Sequence, residues 1–201
     1  MGRLVVLVSG SGTNLQAIID AYADKRIPGE IAAVISNRPD ALALERAKKA
    51  GIPTFVVEQG DKERETFDKE VASAIDSHEP DLIVLAGYMR ILSPWFVIRY
   101  KGRIINIHPA LLPSFPGTHG YEDAWEYGVK VSGCTVHFVD EGVDTGPIII
   151  QKGNPITDDD TFESFQKRGL ALEHEALPEA IALFLSGRLN IDGRRVRIND
   201  G

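Results

Sequence analysis

The first half of the chain alternates short apolar runs with segments whose apolar residues recur at helical spacing. Such runs are typical of strands buried on both faces of a sheet. Leu15, Ile18 and Ile19 form a stripe that predicts a helix packed against that sheet. Strands that alternate with helices predict right-handed parallel crossovers. We therefore expect an α/β, Rossmann-like, mostly parallel sheet with helices on both faces. The predicted strands here cover residues 4–8, 31–35, 54–57 and 81–86, a further helix covers 41–50, and a helical apolar face is formed by Phe67, Val71, Ala74 and Ile75.

The second half is less regular. A Pro-rich loop runs to Gly117, and Asp160-x-x-Glu resembles the capping box of a last long helix, which Pro178 is expected to kink and Gly187 to end. Two of its strand candidates flank a Gly-rich turn, so they could pair or lie side by side. The predicted elements are strands at 104–108, 131–139 and 147–151 and a helix at 119–127.

Composition narrows the class of protein. The 201 residues are 43% hydrophobic and 25% charged, which is typical of a globular chain, and we expect one domain over residues 1–201. The net charge is -7 and the basic residues are scattered, so nucleic acid is not an expected partner. A small anionic ligand remains open, because a few backbone N–H groups can hold one whatever the total charge.

The single cysteine indicates a reducing compartment, and the hydropathy near the start of the chain bears on membrane insertion. Cys134 is the single cysteine, which excludes an internal disulfide and a thiolate cluster for zinc. The apolar run near the start is too short for a signal peptide or a membrane span. We expect a cytoplasmic chain with no membrane contact and no metal site, as a monomer or homodimer.

The loop Gly10-Ser11-Gly12-Thr13-Asn14 lies between the first strand and the first helix. Free N–H groups and the helix dipole at such a position favour an anion such as phosphate. The loop does not fit a dinucleotide fingerprint, since Leu15 replaces the third glycine. A tight turn with a Thr or Asn cap is the competing interpretation.

Asn106 and His108, before Pro109, should emerge on the same side of a strand end. An amide can donate to a developing oxyanion and an imidazole can shuttle a proton near neutral pH, so the pair suits acyl transfer. A hydrogen-bonded pair that closes a turn is the alternative. Asp144 could hold His108 and raise the pKa of its imidazole, although the sequence cannot prove their contact.

Other candidates are weaker when read alone. His137, within a predicted strand, is either a second group of the same pocket or an ordinary half-buried histidine. The segment 87–92 follows a buried strand and either lines a site for a flat heterocycle or packs as core. No nucleophilic serine elbow is present, so direct attack by an amine of the substrate is simpler than covalent catalysis.

Four ordered motifs together are more specific than any one of them. They are Ser-Gly-Ser-Gly-Thr-Asn-Leu-Gln-Ala-Ile-Ile-Asp, Leu-Ala-Gly-Tyr-Met-Arg-Ile-Leu-Ser-Pro, Asn-Ile-His-Pro-Ala-Leu-Leu-Pro and Val-Asp-Thr-Gly-Pro-Ile-Ile. Across nearly its whole length the chain resembles the formyltransferases that use 10-formyltetrahydrofolate, in particular the glycinamide ribonucleotide branch of purine synthesis. Ala110 departs from the serine that is common after His-Pro, but no catalytic group is lost.

The resemblance implies the formyltransferase fold, 10-formyltetrahydrofolate as cosubstrate, and a set of roles. Asn106, His108 and Asp144 would be catalytic. The substrate phosphate would lie on Gly12, Thr13 and Asn14, with Glu173 at the ribose. The implied folate contacts are Arg64, Met89, Arg90, Ile91, Leu92, Asp140, Glu141, Gly142 and Val143.

Three alternatives stay open. Methionyl-tRNA formyltransferase and formyltetrahydrofolate hydrolase are expected to share this fold. The first of these enzymes is expected to carry an additional basic C-terminal domain, and the second an additional N-terminal domain. A nonenzymatic nucleotide-binding module would use only the Gly10–Asn14 loop, and it would leave Asn106, His108 and Asp144 without a role.

Overall fold

The computed structural model describes residues 2–199. They form one nine-stranded sheet in the order β3-β2-β1-β4-β5-β6-β7-β9-β8. The strands are β1 Gly2–Val8, β2 Gly29–Ser36, β3 Thr54–Val56, β4 Leu82–Leu85, β5 Ile104–His108, β6 Val131–Phe138, β7 Ile148–Pro155, β8 Leu189–Asp192 and β9 Arg195–Ile198. The helices are α1 Thr13–Ala23, α2 Leu42–Lys49, α3 Arg64–Asp76, α4 Pro94–Arg99, α5 Gly120–Tyr127 and α6 Phe162–Leu185.

The predicted parallel sheet is confirmed for β1 to β5, whose neighbouring pairs all run parallel. The chain adds β2 and β3 on one side of β1 and then returns to add β4 and β5 on the other. In open α/β sheets, ligands bind outside the carboxyl ends of the strands at such a reversal. The loops after β1 and β4 are joined there, since the Ser9 amide donates to the Gly87 carbonyl at 3.1 Å.

The sheet is covered on both faces, because successive side chains of its strands point in opposite directions. Along β1, Leu4 and Val6 contribute to an apolar cluster that includes residues of α1, α2 and α6. Val5 and Leu7 contribute to a second cluster that includes residues of α3 and α4. Burying each of these side chains contributes roughly 1.5–3 kcal/mol, which fixes the sheet that carries the site.

Of the two arrangements left open for the strands around the Gly-rich turn, the structure shows pairing. β6 pairs antiparallel with β5 on one side and with β7 on the other. β7 extends past the expected end at Gln151 to Pro155, because Gln151 to Pro155 pair with Thr135 to Val131 of β6.

Two features lie outside the sequence predictions. The short helix α4 begins at the capping residue Ser93, whose hydroxyl accepts from the Phe96 amide at 3.3 Å, and Pro94 follows at the first helical position. β8 and β9 form an antiparallel hairpin around Gly193, which adopts a positive φ of 61°. The strands of this hairpin are mostly exposed, and their apolar residues alternate with polar ones on both sides of Asp192-Gly193, a local hairpin signal that the sequence predictions left out.

The capping box of α6 is not the one expected at Asp160. Thr161 and Ser164 form it, each side chain accepting from the other's backbone amide, at 3.2 and 3.1 Å. The Asp160 carboxylate instead forms an ion pair with Arg168, 2.5 Å from its nearest nitrogen. α6 continues past Pro178 to Leu185. No helix within residues 2–199 has the length and apolar content that crossing a bilayer requires.

Candidate active site

A cavity of about 410 Å³ opens at the carboxyl end of β4 and β5. It brings together all three predicted catalytic residues and every predicted folate contact except Arg64. The lining includes Met89, Arg90, Ile91, Leu92, Asn106, His108, Asp140, Glu141, Gly142, Val143 and Asp144, together with Tyr88, Gly117, Thr118 and His137. Loops that are far apart in sequence therefore form one site.

His108 and Asp144 are in direct contact in this cavity. His108 Nδ1 lies 3.4 Å from Asp144 Oδ2, and the exposed fractions of the two side chains are 2% and 11%. The Gly117 amide donates to the same carboxylate oxygen at 2.8 Å. Asp144 adopts a positive φ of 54°, a region that Asp tolerates better than most residues. The turn thereby aims its carboxylate at the end of β5.

The other ring nitrogen of His108 also has a partner. Nε2 lies 2.7 Å from the Phe115 carbonyl oxygen, which can only accept, so Nε2 carries a hydrogen. When the ring is neutral, the Nδ1 lone pair faces Asp144. An Nδ1–H···carboxylate bond therefore forms only when His108 is protonated.

Burial has the larger effect on the protonation of His108. Burial is the largest influence and lowers the pKa of His108, and His137 lowers it further; together they outweigh the Asp144 carboxylate and the Phe115 carbonyl, which raise it, so the net shift is downward. The prediction that Asp144 raises this pKa is correct for its own contribution but wrong for the net direction. Burial raises the pKa of Asp144, but the neighbouring His137, the hydrogen bond from the Gly117 amide and the proximity of His108 outweigh it, and this pKa is lowered. The free cavity favours a neutral imidazole beside an ionised carboxylate.

His137 lies beside the predicted catalytic residues. It stands opposite Asn106 in the β5–β6 register, and its Nε2 is 3.4 Å from Asn106 Nδ2 and 3.6 Å from Asp144 Oδ1. Its Nδ1 is 2.8 Å from the Phe138 carbonyl and so carries a hydrogen. A neutral His137 therefore accepts from the Asn106 amide through Nε2, and this contact orients that amide.

The loop after β5 is held by a hydroxyl of β6. Thr135 donates to the Ala110 carbonyl at 2.6 Å and accepts from the Leu112 amide at 3.1 Å. The Gln151 side chain of β7 also donates to Thr135, at 3.0 Å. This buried anchor fixes the start of the loop that brings Phe115 and Gly117 to the cavity.

The wall formed after β4 is apolar and open to a ligand. Met89 and Ile91 are 65% and 57% exposed, which is unusual for such side chains and suits a flat apolar partner. The Met89 amide donates to the Ser9 hydroxyl at 2.8 Å, so the wall is tied to the loop after β1. The Arg90 guanidinium lies 4.5 Å from the centre of the Phe67 ring, and its Nε has no hydrogen-bond partner among residues 2–199.

The N-terminus of α1 offers a different kind of site. Its cap is Gly12, in the left-handed region at φ 72°, and no side chain caps the helix. The expected alternative, a Thr or Asn cap, is therefore wrong. A Cβ on Gly12 would lie 2.6 Å from the backbone of Ala43, so α2 packs directly on this loop. Arg46 of α2 adds a hydrogen bond to the Ser11 carbonyl at 2.9 Å.

The predicted substrate residues meet each other but do not line the cavity described above. Asn14 donates to Glu173 Oε2 at 2.7 Å. Thr13 lies at the edge of a separate shallow groove that is also lined by Arg46 and His174. Arg64, the first residue of α3, is exposed and lies outside both linings. Within residues 2–199, no three His, Cys, Asp or Glu side chains are grouped closely enough to hold a metal ion.

Sequence reasoning left out several of these contributors. Phe115 and Gly117 follow Pro109 in the irregular loop, where neither helical nor strand periodicity singles them out. Their only local signal is proximity to His108 in the chain.

Comparison with known proteins decides the family. Residues 2–181 match the formyl transferase family. The chain belongs to this family. A relative in it, the phosphoribosylglycinamide formyltransferase of Escherichia coli K12, is 45% identical over 202 residues, which cover 96% of this chain and 95% of that protein.

Longer members of the family contain the same unit. The trifunctional purine biosynthetic protein adenosine-3 of Drosophila melanogaster is 50% identical over 188 residues, and the match covers 92% of this chain and 14% of that protein. This chain therefore spans about a seventh of that relative.

Solved structures of the family agree on the fold. The crystal structure of glycinamide ribonucleotide transformylase 1 from Symbiobacterium toebii has a TM-score of 0.96 and 51% identity, and covers 100% of this chain and 95% of that one. A formyltetrahydrofolate deformylase from Pseudomonas syringae has a TM-score of 0.92 at 31% identity, and the match covers 99% of this chain and 66% of that one. Fold alone therefore does not separate the two activities.

Proposed function

We propose that this chain transfers the formyl group of 10-formyltetrahydrofolate to the amine of 5-phosphoribosylglycinamide, a step of purine (IMP) biosynthesis. The observation that carries the proposal is one cavity in which Asn106, His108 and Asp144 meet beside an exposed apolar wall. The near full-length match to a relative of that name supports it, with 45% identity against 31% for the deformylase structure.

The reaction begins when the substrate amine attacks the formyl carbon. A C–N bond forms, and the carbonyl oxygen takes up the electron pair as an oxyanion. The Asn106 amide and the His108 imidazole are the donors placed to stabilise it. Collapse of the intermediate breaks the bond from carbon to the folate nitrogen, and the proton lost by the amine reaches that nitrogen, with water as part of the route.

The role of Asp144 follows from the protonation of His108. An oxyanion beside the ring favours the imidazolium and therefore raises the pKa that burial has lowered. The Asp144 carboxylate, 3.4 Å from Nδ1, then accepts a hydrogen bond from the newly protonated nitrogen. If Nδ1 serves Asp144, then Nε2 must exchange the Phe115 carbonyl for the oxyanion, so the 109–117 loop has to adjust when substrate binds.

The remaining binding roles follow the same resemblance. Gly12, Thr13 and Asn14 bind the substrate phosphate at the uncapped N-terminus of α1, and Glu173 accepts from its ribose. The pterin lies against 89–92 and 140–143, and Arg64 meets the glutamate tail of the folate from the start of α3. The partners are small molecules rather than nucleic acid or membrane, and no metal takes part. The chain acts in the cytoplasm as a monomer or homodimer. Residues 1–201 act as one domain.

An acceptor assay tests the proposal. Purified protein and 10-formyltetrahydrofolate are incubated with 5-phosphoribosylglycinamide, with initiator methionyl-tRNA, or with water as the only acceptor, and tetrahydrofolate and formylated product are measured. The expected result is formylation of the phosphorylated amine alone, with Asp144→Asn as the inactive control. Release of formate in water at the same rate would identify a deformylase, and formylation of the tRNA alone would identify the tRNA enzyme.

A further inference from the structure

A carboxylate is buried next to the uncapped N-terminus of α1. The Glu173 side chain is 4% exposed, and each of its oxygens accepts one hydrogen bond. Oε2 accepts from Asn14 Nδ2 at 2.7 Å, and Oε1 accepts from the Tyr121 hydroxyl at 2.5 Å. A carboxylate has about four acceptor positions, so room remains for hydroxyl groups of a ligand.

The packing fixes the Tyr121 ring as well as its hydroxyl. The ring lies so close to Gly169 that a Cβ there would be 2.5 Å from it. Gly169 precedes Glu173 by one helical turn on the same face of α6. Phe165 meets the ring edge-on, with centroids 5.6 Å apart. The hydroxyl therefore reaches Glu173 from a ring with little freedom to move.

This chain of hydrogen bonds links three elements. Asn14 is in the first turn of α1, Tyr121 is in α5 and Glu173 is in α6. α5 directly follows the loop that brings Phe115 to His108 and Gly117 to Asp144. The same segment therefore contacts both the catalytic cavity and the proposed phosphate end.

We infer that Tyr121 is a positioning residue for the phosphorylated substrate, whose hydroxyl holds the Glu173 carboxylate in place for the ribose and, through it, the Asn14 side chain. The inference rests on the proposed function and adds a residue to it. Without the hydroxyl, one oxygen of a buried carboxylate loses the one donor that residues 2–199 supply to it, and the side chain is free to turn away from the ligand.

Tyr100 supplies a matched control. Its hydroxyl also donates to a carboxylate, Asp76 Oδ1 at 2.7 Å, and its ring is 3% exposed. It packs in the cluster on the opposite face of the sheet, with α3 and α4, and does not line the cavity. A Tyr→Phe change there also removes a tyrosine–carboxylate hydrogen bond without touching the site, and because the Asp76 carboxylate is 42% exposed and paired with Arg99, its loss leaves no buried charge without a donor.

The test compares Tyr121→Phe and Tyr100→Phe with the wild-type chain. Steady-state assays give KM for each substrate and kcat, calorimetry gives Kd for 5-phosphoribosylglycinamide without folate, and thermal unfolding reports stability. For Tyr121→Phe we expect KM and Kd for the phosphorylated amine to rise about five- to tenfold, while KM for formyl folate changes less than about twofold. Tyr100→Phe should leave both KM values, kcat and Kd unchanged.

A double-mutant cycle tests the route through the carboxylate. In a Glu173→Gln background, Tyr121→Phe should weaken binding of the phosphorylated amine by less than about twofold more, because its partner has already changed. Additive effects would overturn the inference, as would equal rises in both KM values. A Tyr121→Phe chain that fails to fold while Tyr100→Phe folds would also overturn it, since the hydroxyl would then serve the fold. A wild-type chain that does not formylate the phosphorylated amine would instead overturn the proposed function.

Discussion

The two ends of the site offer a ligand different chemistry. At the start of α1, Gly12 is the N-cap residue and has no side chain to cap the helix, so the available donors are backbone N–H groups. In the cavity at the end of β5, the groups are side chains, with His108 and His137 each 2% exposed around the Asp144 carboxylate. In the proposed function, one end holds charge with groups that cannot titrate, and the other acts through groups that can.

Because their donors differ, the two ends should respond differently to mutation. Backbone donors tolerate a change of side chain but fail when the path of the chain changes. In the cavity, the loss of one functional side chain should have a larger effect than a small shift of the backbone. Substitutions at the two ends should therefore affect different kinetic constants.

The largest expected effect is at the cavity end. His108→Ala and Asp144→Asn should each lower kcat by about 10²-fold or more, the range for losing one acid–base or oxyanion group. KM for the phosphorylated amine should change by less than about threefold, since the helix terminus is untouched. Steady-state kinetics with both substrates measures this, and exposed His119→Ala is the control. Near-normal kcat in both variants would refute the catalytic assignment.

The second effect is at the helix end and depends on the backbone. In Gly12→Ala, a Cβ would have to fit within 2.6 Å of Ala43 at a φ of 72°, so the loop must move. KM for the phosphorylated amine should rise about tenfold or more, with a smaller change in kcat. Gly51→Ala is the matched control, because Gly51 has the same φ of 72° with nothing within 4 Å of its Cβ position.

Both glycine variants carry the cost of a left-handed alanine, about 1–2 kcal/mol. Thermal unfolding should therefore show a similar loss of stability in both variants from the left-handed conformation. In Gly12→Ala alone, the clash of the new Cβ with Ala43 should add to that loss. Equal KM values for the two variants would mean that the path of the loop does not set phosphate binding.

The third effect concerns stability against pH and involves one histidine from each end. Burial lowers the pKa of His108, and burial followed by the charge of Arg46 lowers the pKa of His174. The unfolded chain, with histidine pKa near 6.5, then takes up protons before the folded one as pH falls. Each histidine contributes stability that is fully present above about pH 6.5 and is lost on going below it.

Urea unfolding at about pH 7.5 and about pH 5.5 measures this loss. The decrease should be smaller in His108→Gln and in His174→Gln than in the wild type, and smallest in the double variant. Burial raises the pKa of Glu173, so its contribution to stability increases as pH falls, opposite to that of the histidines. Variants are therefore needed to isolate the effect of each histidine. An identical decrease in all four proteins would show that neither histidine titrates differently on folding.

The sequence predicted the elements whose periodicity is set locally. The bounds of β5, 104–108, agree with the prediction because Ile104 to His108 are followed by a proline that ends the ladder. The end of β7 was missed because pairing with β6, not local hydropathy, decides that bound. The hairpin of β8 and β9 was missed although apolar and polar residues alternate on both sides of Asp192-Gly193, a local signal that could have predicted it. The cap of α6 moved from Asp160 because that carboxylate has a cation partner, Arg168.

The site shows a similar division. Residue types and the family resemblance named the groups that now line one cavity, but the contact between His108 and Asp144 depends on two loops meeting in space. The sign of the His108 pKa shift was wrong because burial is a tertiary property that local sequence does not encode. Tyr121 went unnoticed for the same reason, since its partner Glu173 is 52 positions away.

The smallest expected effect completes the contrast at the helix end. Thr13 occupies the first helical position, and its backbone N–H, not its side chain, belongs to the uncapped turn. Thr13→Ala keeps that N–H and the helix dipole, so KM for the phosphorylated amine should change by less than about threefold, the range for a partly exposed side chain without a special role. Calorimetric Kd values for Thr13→Ala and Gly12→Ala give the comparison directly. A loss in Thr13→Ala as large as that in Gly12→Ala would mean that side-chain donors, not the backbone, hold the phosphate, and the distinction between the two ends would fail.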